Sequence, residues 1–239
     1  MLHPLKTMTT PKKIVWLGGG QCHPVDAQAV TIGEWLGDKF EIVNLPGAAA
    51  FDALESADLL VVAGLHYTDM SNPFWNPPME YIPATEAQKM KFRDYLSRGG
   101  RLLGFHGGVA SFNDWPEFGE LCGVRWDWKV TTHGPVGDTK SVVIPTGHPV
   151  VEGFTEETEF TTAVDETYLN LQMTPRWKFD LHAWSLHGGV RFPMLATSDN
   201  GPAAGSGRTA YIMIGHSVEA IQAPEVRKIW ESTVAWLTA

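Results

Sequence analysis

Four of the nine histidines in this 239-residue chain occupy one kind of position. His23 follows the run IVWL and its glycines, His66 follows LLVVAGL, His106 follows LLGF, and His216 follows AYIMIG. Each run reads as a buried strand, and ligands of open parallel sheets bind beyond the carboxyl ends of the strands. If the four strands are parallel, the four imidazoles face a single crevice. Imidazole titrates near neutrality, so such a group can move protons, bind hydroxyls or hold a metal ion. His106 is the sharpest case. In RLLGFHGGVASFNDW, Arg101 to Trp115, it stands where a strand breaks into a glycine turn, the place where α/β enzymes usually raise a Ser or Cys. A lone histidine is more often a satisfied core or surface group. Four in matching positions weigh against that reading.

The other polar candidates lie in the second half. AVDETYLN carries Asp165, Glu166 and Tyr168. If extended, the two carboxylates point to opposite faces, so only one need enter a site; a plain acidic turn is the competing reading. His133, in THGP, is expected to reach a ligand, whereas His148 before Pro149 is expected to shape a bend. Trp115, with Trp126 and Trp128 nearby, offers a face of the kind that stacks on sugar rings, although such residues are commonly core. The expected acid–base groups are therefore His106, His216 and Glu166 or Asp165. His23, His66, Trp115, His133 and Tyr168 are expected to line the pocket. His66, His106 and His216 with a carboxylate would suit zinc or another divalent ion, but no compact His-x-x-x-His spacing supports one, and no other cofactor is indicated.

The elements that must position these groups alternate in the first half: KKIVWLGGG, a helical PVDAQAVTIGEWLGDKF, EIVNL, ADLLVVAGL, a helical TEAQKMKFRDYLSRGG, then RLLGF. Thr85 and the pair Gly99–Gly100 supply start and stop signals for the second helix. Runs such as LLVVA lack polar alternation, as strands covered on both faces do. This order predicts an α/β fold: a doubly wound, mainly parallel, flavodoxin-like sheet. SVVIP, EFTTAV, WKFDLHAW and RFPMLAT add short strands, antiparallel at an edge or in an excursion. GRTAYIMIGH is a further buried strand, and APEVRKIWESTVAWL a closing amphipathic helix. Residues 1–10 read as a loose tail and 11–239 as one domain. The aromatic loop 66–83 is too apolar for a mere connector and reads as a lid or an oligomer contact.

A net charge of −9 and no basic cluster exclude a phosphate-backbone partner. Without an apolar leader or an eighteen-residue apolar run, the expectation is a cytoplasmic protein with no membrane partner. Two cysteines, Cys22 and Cys122, cannot build a disulfide framework. GGGQCH is not a dinucleotide fingerprint, and there is neither a P-loop nor a Gly-x-Ser-x-Gly elbow. Cys22, in its glycine loop, remains a minor nucleophile candidate.

GGRLLGFHGGVASFNDWPEFGELCGVRW, HPVVEGF, DETYLN and GRTAYIMIGHSVEA together resemble the trehalose-utilisation (ThuA-like) family, itself similar in fold to class I glutamine amidotransferases. The resemblance runs from KKIVWL to the C-terminus. In the amidotransferases the elbow holds a Cys; here it holds His106, so a thiol mechanism is not implied. The resemblance implies a role in sugar catabolism, on glycosides first oxidised to 3-keto derivatives: a keto-glycoside hydrolase, lyase or isomerase working by His and carboxylate acid–base chemistry. Two alternatives stay open: a divalent-metal-dependent hydrolase or isomerase, and a non-catalytic module that binds a sugar or a partner. A small-molecule sugar is the expected ligand, and the aromatic loop suggests a homo-oligomer.

Overall fold

The computed structural model describes residues 10–174 and 178–239. The first half alternates as its hydrophobic pattern requires: β1 (Lys12–Gly18), α1 (Val25–Leu36), β2 (Phe40–Pro46), β3 (Leu59–Val62), α2 (Glu86–Ser97) and β4 (Leu102–Phe105). Thr85 starts α2 through a reciprocal capping box with Gln88, and Gly99, at φ 87°, follows its end. Next come α3 (Pro116–Cys122), β5 (Val124–Arg125), β6 (Thr132–His133), β7 (Gly137–Val143) and β8 (Thr158–Asp165). The chain then forms β9 (Tyr168–Leu169), β10 (Gln172–Met173), β11 (Asp180–His187), β12 (Val190–Ser198), β13 (Thr209–Ile212), α4 (Val218–Ile221) and α5 (Pro224–Leu237).

Among the described residues, nine strands form one sheet in the order β2-β1-β3-β4-β13-β12-β11-β7-β8. The first five are parallel and the last four run antiparallel. The fold is thus the expected mainly parallel α/β sheet, though β7, β8 and β12, at 7, 8 and 9 residues, are longer than their sequence pattern suggested, and β11, at 8, has the expected length but lies three residues further along. Two small ribbons, β5 with β10 and β6 with β9, lie outside the sheet. The expected tail at 1–10 lies, except for Thr10, outside the described residues, as does Trp177 of the expected strand WKFDLHAW.

Every residue of β3, β4 and β13 is buried because both sheet faces are covered. On one face Trp16 stacks on Trp230 of α5, with Phe105 against both. On the other, Phe51, Phe92, Phe112, Trp115 and Phe118 form one aromatic cluster. Gln28 of α1, fully buried, ties the first crossover to the last by donating to the carbonyls of Gly215 and Ser217. That bond holds the loops after β1 and β13 at a fixed spacing.

β8 is the outermost strand, yet it packs against α4, which follows β13. The sheet therefore curls, and the end of β8 returns over the parallel half. Loop 66–83 closes one side. Its Tyr67 and Met70 are buried with Leu65 and Ala110, Trp75 and Met79 pack on them, and Gln21 Nε2 donates to Pro77 O at 2.9 Å.

Candidate active site

The elbow after β4 is a strained turn. His106 sits at φ 38°, a left-handed conformation unusual for a residue other than glycine. It is fully buried, and its Nδ1 lies 2.6 Å from the carbonyl oxygen of Met213, just past the neighbouring β13. A carbonyl can only accept, so Nδ1 carries a hydrogen, and in the neutral form Nε2 presents its lone pair to the crevice. Tyr168 stacks on the ring at 4.4 Å between centroids, and the ring of His23 meets it edge-on at 4.6 Å.

Two glycines make this packing possible, in different ways. A Cβ on Gly107 would sit 2.4 Å from His23 Nδ1, whereas one on Gly108 would sit 2.1 Å from the backbone oxygen of Val62. A side-chain ring can swing aside and a strand carbonyl cannot. Gly107→Ala is therefore expected to fold with little change in melting temperature while costing about 10²-fold in turnover through misplacement of His23. Gly108→Ala is expected to lower the melting temperature itself. Thermal melts and turnover measured on both variants check the contrast.

Glu166 enters the same crevice from the end of β8. Val164, at φ 52°, turns the chain there, so the two adjacent carboxylates diverge. Asp165, with no exposed surface, accepts from the backbone N–H groups of Gly215 and His216 at 3.2 and 3.0 Å, and from the Thr162 hydroxyl at 2.9 Å. It anchors the loop after β13. Glu166 Oε1 lies 3.3 Å from His216 Nδ1, 3.5 Å from His106 Nε2 and 4.0 Å from His23 Nε2, while Oε2 lies 2.7 Å from His133 Nδ1. Among the described residues, His106 Nε2, His216 Nδ1, His23 Nδ1 and Glu166 Oε2 are buried without an aligned hydrogen bond.

These groups set one another's charge. Burial pushes the Glu166 carboxyl up, but its contacts with His106, His216 and His23 outweigh that and hold it well below the usual carboxylate range. Burial lowers His23 to about 4, so it is neutral at pH 7. The contact with Glu166 raises His216 above its ordinary value against the opposing effect of burial. The floor is an anion ringed by imidazoles.

Above it opens a pocket of about 240 Å³. Tyr67, Trp75, Trp126 and Trp128 wall it, with Tyr67 stacked on Trp128 at 4.8 Å, and His23, His133, Glu166, Tyr168 and His216 reach it from below. Cys22, an exposed residue on the rim, has its thiol pushed up to about 11, by desolvation first and the Glu166 charge second. A thiol so protonated is a poor nucleophile. Iodoacetamide at pH 8 is accordingly expected to label Cys22 about 10²-fold more slowly than an unperturbed cysteine, as timed mass spectra would read out.

The sequence model of ThuA, described as trehalose utilisation, matches residues 16–237. The chain belongs to the ThuA family. The structure is similar to that of a protein described as ThuA-like from Parabacteroides merdae, with a TM-score of 0.73 at 17% identity over 96% of this chain and 90% of that one. A second protein so described, from Bacteroides uniformis, gives 0.68 at 18% identity over 98% and 95%. A GMP synthase component from Thermoplasma acidophilum gives 0.55 at 14% identity over 96% of each chain, which places the ThuA fold beside that of the glutamine amidotransferases. No curated protein sequence matches. No helix among the described residues of this ThuA protein is long and apolar enough to cross a membrane.

Of the residues expected in the site, the ThuA fold brings together His23, His106, His133, Glu166, Tyr168 and His216. It places three elsewhere. His66 turns away: its Nε2 lies 2.8 Å from the carbonyl of Gly18, and its backbone is held by Ser111 Oγ and Phe112 N. It ties the end of β3 to that of β1, so of the four strand-end histidines expected in the crevice the floor contains His23, His106 and His216 but not His66. Trp115, 5% exposed, is drawn into the aromatic core, with its Nε1 donating to Glu117 and with Lys89 and Arg93 lying over its ring. Asp165 faces backbone amides, which makes it a positioning residue. The wall residues Tyr67 and Trp75 carry no individual sequence signal; the aromatic content of loop 66–83 points to them only collectively.

Proposed function

We propose that this ThuA protein is a cytoplasmic enzyme of carbohydrate catabolism that acts on a keto-glycoside by histidine and carboxylate acid–base chemistry, as a hydrolase, lyase or isomerase. The observation that carries this reading is the single carboxylate, Glu166, within 4.0 Å of four imidazoles at the base of an aromatic-walled pocket. Indole and phenol faces suit the apolar faces of a sugar ring.

A ring ketone acidifies the adjacent C–H. A base takes that proton, the C–H electron pair becomes the C=C bond of an enolate, and the ketone oxygen carries the charge. His133 is placed to be the base. Its Nδ1 lies 2.7 Å from both Glu166 Oε2 and Gly134 O, two acceptors, so in the neutral form the hydrogen sits on Nδ1 and the Nε2 lone pair is free to take a proton. If the departing group is the glycosidic oxygen, the enolate expels it, the abstracted proton goes to that oxygen and an enone is left, to which water adds for net hydrolysis; if not, the neighbouring hydroxyl passes its proton to the ketone oxygen and reprotonation of the former carbonyl carbon isomerises the sugar.

Incubation with 3-keto-glycosides of either anomeric configuration, followed by NMR, tests the reading. Turnover by the wild type and its loss in Glu166→Gln are expected. A sugar that raises the melting temperature yet is recovered unchanged would instead identify a binding module.

A further inference from the structure

The floor of the pocket has an electrostatic problem that hydrogen bonds do not solve. His106 commits its only hydrogen in the neutral form to Met213 O, at 2.6 Å, so Nε2 directs a lone pair toward Glu166 Oε1, 3.5 Å away. His216 Nδ1 and His23 Nε2 crowd the same oxygen at 3.3 and 4.0 Å. A proton between two such atoms demands that one aim at the other, and the buried Nε2 of His106 and Nδ1 of His216 have no aligned partner. Donor atoms that crowd together without aiming at each other are arranged about a common centre. One donor atom from each of His23, His106, Glu166 and His216 lies within 4.8 Å of every other.

We propose that His23, His106, His216 and Glu166 bind one divalent transition-metal ion. Bonds of about 2.0–2.1 Å in a tetrahedral site separate neighbouring ligand atoms by about 3.3–3.5 Å. The His216 and His106 distances to Oε1 already match that spacing, His23 needs to close on Oε1 by about half an ångström, and ligand pairs standing as far apart as 4.8 Å must draw in further around the ion. Three imidazoles with one carboxylate select a zinc-like ion of borderline softness, whereas calcium and magnesium take all-oxygen sets. The surroundings are those of a ligand shell. Met213 O fixes the His106 tautomer, Asp165 holds the His216 backbone, and Gly107 leaves room for the His23 ring.

The site is the one read above as catalytic, and the ion deepens that reading. With a fifth position open to the ketone oxygen of the substrate, it would act as the Lewis acid that carries the enolate charge, leaving His133, outside the four ligands, to move the proton. The ligand set spans the ends of β1, β4, β8 and β13, so no short sequence spacing announces it.

The test does not require turnover. Protein freed of any tag and dialysed against a chelator is titrated with Co²⁺ and Zn²⁺, with metal content by mass spectrometry and the Co²⁺ visible spectrum as readouts. About one ion per chain, with the intense visible bands of a low-symmetry Co²⁺ site, is expected. Circular dichroism confirms folding of each variant; Glu166→Gln and His106→Asn should lose the ion, while His66→Gln should retain it. Failure of the chelated wild type to take up either ion, or uptake unchanged in folded Glu166→Gln, overturns the proposal. Turnover persisting in metal-free protein would also overturn it and leave the keto-glycoside reading standing. A stoichiometric ion in a protein that turns over no keto-glycoside would support the metal site and sink that reading.

Discussion

Removing the elbow imidazole is expected to lower turnover of a keto-glycoside by about 10²- to 10⁴-fold while the chain still folds. The ring of His106 touches the Glu166 carboxylate, His23 and Tyr168 at once, so its loss dissolves the arrangement at the centre of the floor. The position is strained at φ 38°, which makes the choice of substitute matter. Alanine leaves a cavity and inherits the strain; asparagine tolerates the left-handed region and refills part of the space. His106→Asn should thus melt close to the wild type and His106→Ala somewhat lower, with both nearly inactive. Turnover by NMR beside thermal melts separates chemistry from folding, and full activity in either variant would remove His106 from the mechanism.

The second large effect is on stability. Asp165→Ala is expected to cost about 3–5 kcal/mol, because it leaves the amides of Gly215 and His216 and the hydroxyl of Thr162 facing a buried void. For a chain of this size that corresponds to a fall of roughly 10 °C or more in melting temperature. Asp165→Asn keeps one oxygen for the two amides and turns a donor to the Thr162 oxygen, so it should recover most of that loss. Recovery of kcat along with the melting temperature would mark Asp165 as a support for His216. A folded Asp165→Asn variant with no turnover would instead place the charge of Asp165 in the chemistry.

Much of the scaffold was legible because it is governed by local signals. The unbroken apolar runs of β3 and β4 could only be strands covered on both faces, and Thr85 with Gln88 announced the start of α2. Histidines at the ends of four such strands had to stand near one edge if those strands were parallel, and β1, β3, β4 and β13 are. What the pattern did not contain was the direction each side chain takes once it leaves the strand. His66 and His106 follow neighbouring strands, four residues and one residue past their ends, yet the carbonyl of Gly18 captures one ring and that of Met213 orients the other toward Glu166.

The sequence by itself therefore determined the parallel α/β scaffold, the edge at which the chemistry gathers and the residue types available there, since strand periodicity and capping act over a few residues. Tertiary structure alone decided that His66 stays out of the cluster, that Trp115 is core while Trp126 and Trp128 face the pocket, and that Glu166 returns from the outermost strand to meet the histidines. Those outcomes depend on which buried carbonyl, amide or ring competes for each side chain. Such competitors lie tens to hundreds of residues away along the chain, beyond the reach of any local pattern.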